Sequence, residues 1–291
     1  MKGLTTLKDL PVSKIQEIID TALLFKKGEL KADYSGKKMA LLFFENSTRT
    51  EYSFCTAMLN LGISPIYFND RGSSIAKGET LYDTVKTFES FGIDGVVIRH
   101  SKDEYFRDLE NIQIPIFNGG DGCSNHPTQT LLDLMTIYEE FGRFEGLKVT
   151  FIGDIAHSRV AHGNNEIMRR LGMETYISGP EQFADVTAPY ISFEKAIEIS
   201  DVINLLRIQF ERHTGKLDMT KEEYFERFGM TKKREAQMKD NAIIIHPAPV
   251  NRGIEIADDM VEGKKSRILK QINNGVYIRM AVISMVLEGK L

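Results

Sequence analysis

Asn46-Ser47-Thr48-Arg49-Thr50 sets three hydroxyls and a guanidinium within five consecutive residues. The run before it, Met39–Phe44, is apolar throughout and short enough for a fully buried strand. After it, Phe54, Ala57, Met58 and Leu61 recur at helical spacing, with Ser47 a favourable N-cap and Gly62 a stop. The turn therefore sits beyond the carboxyl end of a strand and at the amino end of a helix. First-turn N–H groups and the positive end of the helix dipole meet the hydroxyls and Arg49 there, a combination that suits a phosphate. The competing reading is an ordinary capped helix with a surface arginine. The coincidence of hydroxyls, arginine and buried strand favours the anion site.

The same position, just past an apolar run, holds most of the other reactive or charged side chains. Arg99 follows 94–98; His126 and Gln129 follow 114–117 across a glycine loop; His157 and Arg159 follow Asp154. Arg207 and Gln209 follow Leu206, and His246-Pro247-Ala248-Pro249 follows Ile245. Lys77 adds a cation from the polar stretch 69–78. Open α/β sheets bind ligands outside the carboxyl ends of their strands. Arg49, Lys77, Arg99, Arg159 and Arg207 would repel one another in a single cleft unless a polyanion filled it. Substrates carrying phosphate and carboxylate groups are the natural inference. His126 stands between a glycine loop and a helix start, which fits a capping histidine as well as a catalytic one.

Positioning these residues requires alternating strands and helices. Residues 4–28 read as an amphipathic helix through Leu10, Ile15, Ile18, Ile19, Ala22 and Leu23. Strands are expected at 39–44, 66–68, 94–98, 114–117, 149–154, 175–178, 202–206 and 242–245. Helices are expected at 80–91, from Pro127 to about 141, at 158–171 and at 275–287. Residues 118–122 read as a flexible loop, and 211–240 as a charged surface stretch. The expected class is α/β, two doubly wound domains with mainly parallel sheets. The expected division is 1–137 with 272–291, and 138–271, the last helix returning to the first domain.

With 291 residues, two domains are the default. A net charge of −4 argues against a general nucleic-acid binder. Two cysteines, Cys55 and Cys123, lack metal-ligand spacing and give no disulfide framework. Without a signal peptide or a bilayer-length apolar run, a cytoplasmic protein with no membrane partner is expected. Neither a P-loop nor a G-x-G-x-x-G is present.

Taken together, the motifs resemble those of the aspartate/ornithine carbamoyltransferase family. Phe43–Thr50 (FFENSTRT) is similar to its S-T-R-T signature, and Ser73–Thr80 (SSIAKGET) to its lysine loop. Val97–His100, Gly120–Gly122 with His126–Gln129, Asp154–Arg159, Leu206–Gln209 and His246–Gly253 (HPAPVNRG) occur in the family's order. The resemblance spans essentially the whole chain and is strongest to the catalytic chains that act on L-aspartate.

It implies transfer of the carbamoyl group of carbamoyl phosphate to the amine of L-aspartate, a step of pyrimidine biosynthesis, in a cleft between the two domains. No cofactor or metal is implied. Ser47, Thr48, Arg49 and Thr50 are implied to hold the phosphate. Arg99, His126, Gln129 and the Ala248-Pro249 backbone are implied to hold the carbamoyl end, and Lys77, Arg159, Arg207 and Gln209 the aspartate. Arg49, Thr50, Lys77, Arg99 and His126 make up the implied catalytic set. The family forms homotrimers with Lys77 reaching into a neighbour's site, and a regulatory chain or a pyrimidine-pathway enzyme is a compatible partner. Ornithine or another amino acid as substrate, and a non-catalytic anion-binding homologue, are the alternatives. Glu51 and Cys55 stand where an arginine and a glutamate are common, so an i,i+4 ion pair is expected to be missing. Asn46 and His162-Gly163 also replace commoner residues.

Overall fold

A computed structural model describes residues 2–69, 78–208 and 219–291. The chain divides into two compact units, Met1–Met135 with Ile272–Leu291, and Thr136–Gln271.

In the first unit, β1 (Gly3–Leu4), β2 (Lys38–Phe43), β3 (Ser64–Tyr67), β4 (Gly95–His100) and β5 (Ile116–Asp121) form one sheet. Its order is β1-β5-β4-β2-β3 and every pair is parallel. The connecting helices are α1 (Val12–Lys27), α2 (Thr48–Asn60) and α3 (Leu81–Ser90). Strands covered on both faces must be apolar throughout, and Met39, Ala40, Leu41 and Leu42 of β2 are accordingly buried. Ala40, Leu42, Val96, Ile98 and Ile116 pack with Val85 of α3 and with Tyr105 and Phe106 in one core cluster. Each large aliphatic side chain so buried contributes about 1.5–3 kcal/mol. The strand order reverses between β2 and β4. Backbone leaving these neighbours diverges, and the Phe44 N–H donates to the Arg99 carbonyl at 2.9 Å just where it does so.

The second unit repeats this plan. β6 (Lys148–Ile152), β7 (Glu174–Ser178), β8 (Val202–Leu205) and β9 (Ile243–Ile245) order as β7-β6-β8-β9, again all parallel. The reversal falls between β6 and β8, where the Leu206 N–H donates to the Ile152 carbonyl at 2.8 Å. Between the strands run α5 (Arg159–Arg170), α6 (Phe193–Ile199), α7 (Lys221–Phe228) and the short α8 (Lys232–Glu235). Thr220 and Glu223 close a reciprocal capping box on α7. The chain enters this unit along α4 (Pro127–Phe141) and leaves it along α9 (Ile268–Leu287).

The two parallel α/β sheets are those expected, with local differences. The first helix begins at Val12, since Pro11 has no N–H for a preceding turn, and Gly3–Leu4 pairs beside β5 as an edge strand. The expected loop 118–122 is mostly strand. Asn118 pairs with Ile98 and Asp121 with His100, so β5 carries one extra residue in a bulge, which Gly120 accommodates at φ +117. The last helix starts at Ile268 rather than 275. Of the stretch 211–240, residues 211–218 lie outside the described residues, and the rest holds α7 and α8, a short connection between them and turns after α8. In place of the missing ion pair on α2, the Tyr67 hydroxyl donates to Cys55 Sγ at 2.8 Å, and burial raises the Glu51 carboxyl.

Candidate active site

Reversal of strand order between β2 and β4 brings the segments beyond both strands to one place in the first unit. Ser47 caps α2 without using its own hydroxyl on the helix, and Thr48 and Arg49 of the first turn are exposed. Thr50 points inward and is buried; its Oγ1 lies 3.5 Å from Nε2 of the buried His126. His126 stands just ahead of Pro127, and its carbonyl accepts the Gln129 and Thr130 N–H groups that open α4.

Arg99, near the end of β4, donates from Nη1 to the Gly119 carbonyl at 3.0 Å, and its Nε lies 3.6 Å from Glu45 Oε2. A β-carbon at Gly120 would fall 2.7 Å from Arg99 Nη1 and 3.6 Å from His126 Cδ2. The missing side chain is therefore what lets guanidinium and imidazole approach across the bulge. Asn118 stiffens this bulge: its Oδ1 accepts the Gly120 N–H at 2.8 Å and the Tyr105 hydroxyl at 3.3 Å. Gln129 Nε2 donates to Asp133 Oδ1 at 2.9 Å, which fixes the side-chain amide one turn along α4. Thr50, Arg99 and His126 thus converge, with the Ser47–Arg49 turn and Gln129 in the adjoining segments. Glu45, Asn118 and Asp133 were not singled out from the sequence; their roles depend on pairings across the sheet or along a helix, although Glu45 sat inside the FFENSTRT run and Asn118 inside the expected glycine loop.

The second unit places its cations the same way. Gly153, at φ +133, ends β6 so close to β8 that a β-carbon would meet the Leu206 carbonyl at 2.8 Å. Asp154, buried, accepts from the His157 ring at 2.8 Å, with His157 itself exposed. Ser158 caps α5 by accepting the Ala161 N–H, and Arg159 is the first helical residue. Arg207, half-buried, follows β8. Beyond β9, the buried His246 turns the chain: its Nδ1 accepts the Ala248 N–H at 2.8 Å, and its own N–H donates to Gln271. Ala248 adopts φ +54 and its bond to Pro249 is cis. Lys77 and Gln209 lie outside the described residues.

Around either sheet end the arrangement is rich in donors and poor in nucleophiles. Charge-assisted hydrogen bonds from Arg99, Arg159 and Arg207 suit anionic oxygens, and the Thr50–His126 pair suits an oxygen that gains charge during a reaction. Among the described residues, no cluster of His, Cys, Asp and Glu is arranged to hold a metal ion.

Two family models match the chain. "Aspartate/ornithine carbamoyltransferase, carbamoyl-P binding domain" covers residues 2–139, and "Aspartate/ornithine carbamoyltransferase, Asp/Orn binding domain" covers 145–286. A Staphylococcus carnosus protein named aspartate carbamoyltransferase catalytic subunit is 47% identical over 292 residues, spanning 100% of this chain and 97% of its own. One of the same name from Listeria monocytogenes is 48% identical, over 99% of this chain and 96% of its own. Among solved structures, Trypanosoma cruzi aspartate transcarbamoylase in complex with carbamoyl phosphate and aspartate superposes with a TM-score of 0.85. It is 28% identical, covering 97% of this chain and 95% of that one.

Proposed function

The chain belongs to the aspartate/ornithine carbamoyltransferase family, and on that footing we propose that it carries the carbamoyl group of carbamoyl phosphate to the amine of L-aspartate. The products are N-carbamoyl-L-aspartate and phosphate. The observation that carries this reading is the convergence of Thr50, Arg99 and His126 where the first sheet reverses its strand order.

In this reading Ser47, Thr48, Arg49 and Thr50 hold the phosphate, with α2 directing its positive end at it. Arg99, His126, Gln129 and the Ala248-Pro249 backbone hold the carbamoyl end. Arg159 and Arg207 take the two aspartate carboxylates as planar forks, with Lys77 and Gln209 completing the set. The aspartate nitrogen attacks the carbonyl carbon, a C–N bond forms, and the carbonyl oxygen becomes an oxyanion. One oxygen about 2.8 Å from both Thr50 Oγ1 and His126 Nε2 is geometrically allowed by their 3.5 Å separation. Collapse of the intermediate breaks the bond to the phosphate oxygen, and the departing phosphate accepts the proton released by nitrogen. The protein forms no covalent bond; it holds two anions together and meets the developing charge.

A homotrimer with Lys77 donated to a neighbour's site belongs to the same reading. It is supported by the outward face of α2, where Tyr52 and Leu59 are exposed, and by exposed Tyr67 on the edge strand β3. Work in the cytoplasm, in pyrimidine biosynthesis, completes it; among the described residues no helix is long and apolar enough to cross a membrane.

The test is an assay of the purified chain with carbamoyl phosphate and aspartate, ornithine or a panel of other amines, reading phosphate release and the carbamoylated product. Carbamoyl aspartate is expected. Arg207 would repel the side-chain ammonium of ornithine, and carbamoyl ornithine as the main product would overturn the assignment.

A further inference from the structure

Ile208 lies between Arg207 and Gln209, two residues that the proposed function gives to aspartate, and its backbone is held in an unusual way. Its N–H donates to Glu255 Oε1 at 2.9 Å, and its carbonyl accepts from Asn251 Nδ2 at 3.1 Å. Both main-chain polar groups thus end on side chains from a segment more than forty residues away. The two side chains also grip each other. Asn251 Nδ2 donates to Glu255 Oε1 at 2.8 Å, and the Asn251 N–H donates to Glu255 Oε2 at 2.8 Å.

Glu255 closes its own turn by accepting twice from Asn251, and it is only 1% exposed. Burying a carboxyl group is costly unless its oxygens are well satisfied. Three N–H donors satisfy it here, and one of them belongs to the chain as it leaves β8. The peptide after Arg207 is therefore fixed, and the backbone from which the guanidinium extends is fixed with it. Misplacing a substrate-binding group by about 1 Å can cost two orders of magnitude in rate, so such backbone control has leverage.

We propose that Glu255 and Asn251 are positioning residues for the aspartate half of the site: they lock Ile208 so that Arg207 is presented to a substrate carboxylate. This rests on the reading of Arg207 as an aspartate ligand. Asn251 belongs to the HPAPVNRG run, in which that reading uses only Ala248 and Pro249. The side-chain amide of Asn251 has a definite task, holding the Ile208 carbonyl while it steadies Glu255.

The test is a double-substitution cycle on the whole chain. Glu255→Gln keeps the shape but turns an amide NH₂ toward N–H donors on one side. It is expected to lower kcat/KM for aspartate about tenfold. The thermal stabilisation given by carbamoyl phosphate should stay unchanged. In an Arg207→Gln background the same substitution should cost less than about twofold, because the group it positions is gone. Should Glu255→Gln fail to fold, Asn251→Ala provides the second arm. It removes only the bond to the Ile208 carbonyl and one of the Glu255 contacts, and about a threefold loss with the same dependence on Arg207 is expected. A loss equally large with and without Arg207, or no loss from either variant, overturns the positioning role while leaving the carbamoyltransferase reading intact. A wild type that does not carbamoylate aspartate overturns both.

Discussion

Thr50 Oγ1 and His126 Nε2 lie 3.5 Å apart, joining the first turn of α2 to the residue that leads into α4. In the proposed reading both act on one oxygen, so their contributions to catalysis are expected to overlap. Thr50→Val and His126→Ala are each expected to lower kcat about a hundredfold. The double variant should lose clearly less than the product of the two. Steady-state rates at saturating substrates check this; fully multiplicative losses would mean that the two side chains serve different atoms.

Gly120 is the position where backbone geometry and site chemistry meet. Alanine there would force a side chain into φ +117 and set its β-carbon 2.7 Å from Arg99 Nη1. Gly120→Ala should destabilise the chain by about 1–3 kcal/mol in urea unfolding. Arg99 must also move, so the thermal shift produced by carbamoyl phosphate should shrink. A variant as stable and as responsive as wild type would show that Arg99 is not packed against this bulge in solution.

Arg207→Ala separates the two substrates. Carbamoyl phosphate should stabilise the variant as it does wild type, since any ligand of the native state raises the unfolding midpoint by mass action. Saturation with aspartate should fail, as one charge-assisted fork is lost. Equal weakening of both substrates counts against the division of labour.

Burial raises the Glu255 carboxyl from an ordinary 4.5 to about 7, against the opposing pull of the Ile208 and Asn251 donors. The ionisable groups around it include Tyr224 of α7, whose hydroxyl is pushed up by its own burial and by the charges of Glu255 and Asp154. An acid raised on folding holds more protons in the native state than in the unfolded one. Its contribution is therefore fully present below about pH 4.5 and is lost as pH rises through about 7. The loss is on the order of 1–3 kcal/mol. Urea midpoints taken across this window should fall less steeply for Glu255→Gln than for wild type. Parallel profiles would mean that Glu255 titrates normally.

The strand–turn–helix around Ser47 was readable because an apolar run gives way within a few residues to a 3.6-residue period, and both signals are local. Arg99, Arg159 and Arg207 were readable for the same reason, each lying just past a buried run. Other parts depend on pairing that no local pattern carries. Asn118–Asp121 resembles a loop in composition and becomes strand only because β4 lies alongside and Gly120 absorbs the bulge. Gly3–Leu4 is too short for any period to show. Glu255 looks like a surface acid until one of its three donors arrives from Ile208, 47 positions earlier.

The sharing of sites between chains is the remaining prediction, and it rests on Lys77, which lies outside the described residues. In a cyclic trimer each chain gives Lys77 to one neighbour and receives it from the other. Lys77→Ala and Arg207→Ala homotrimers should each be nearly inactive, because every site then lacks one anion partner. In any mixed trimer one interface pairs an intact Lys77 with an intact Arg207, whichever chain is in excess. Random reassembly of equal amounts should therefore restore roughly a quarter of wild-type activity, since a site is whole only when donor and acceptor chains carry opposite lesions. Sites built within single chains would recover nothing, as every chain carries a lesion. Mixing the variants under mild dissociation, verifying exchange by mass, and assaying carbamoyl aspartate distinguishes the two cases. Exchange without recovered activity would put Lys77 in the site of its own chain.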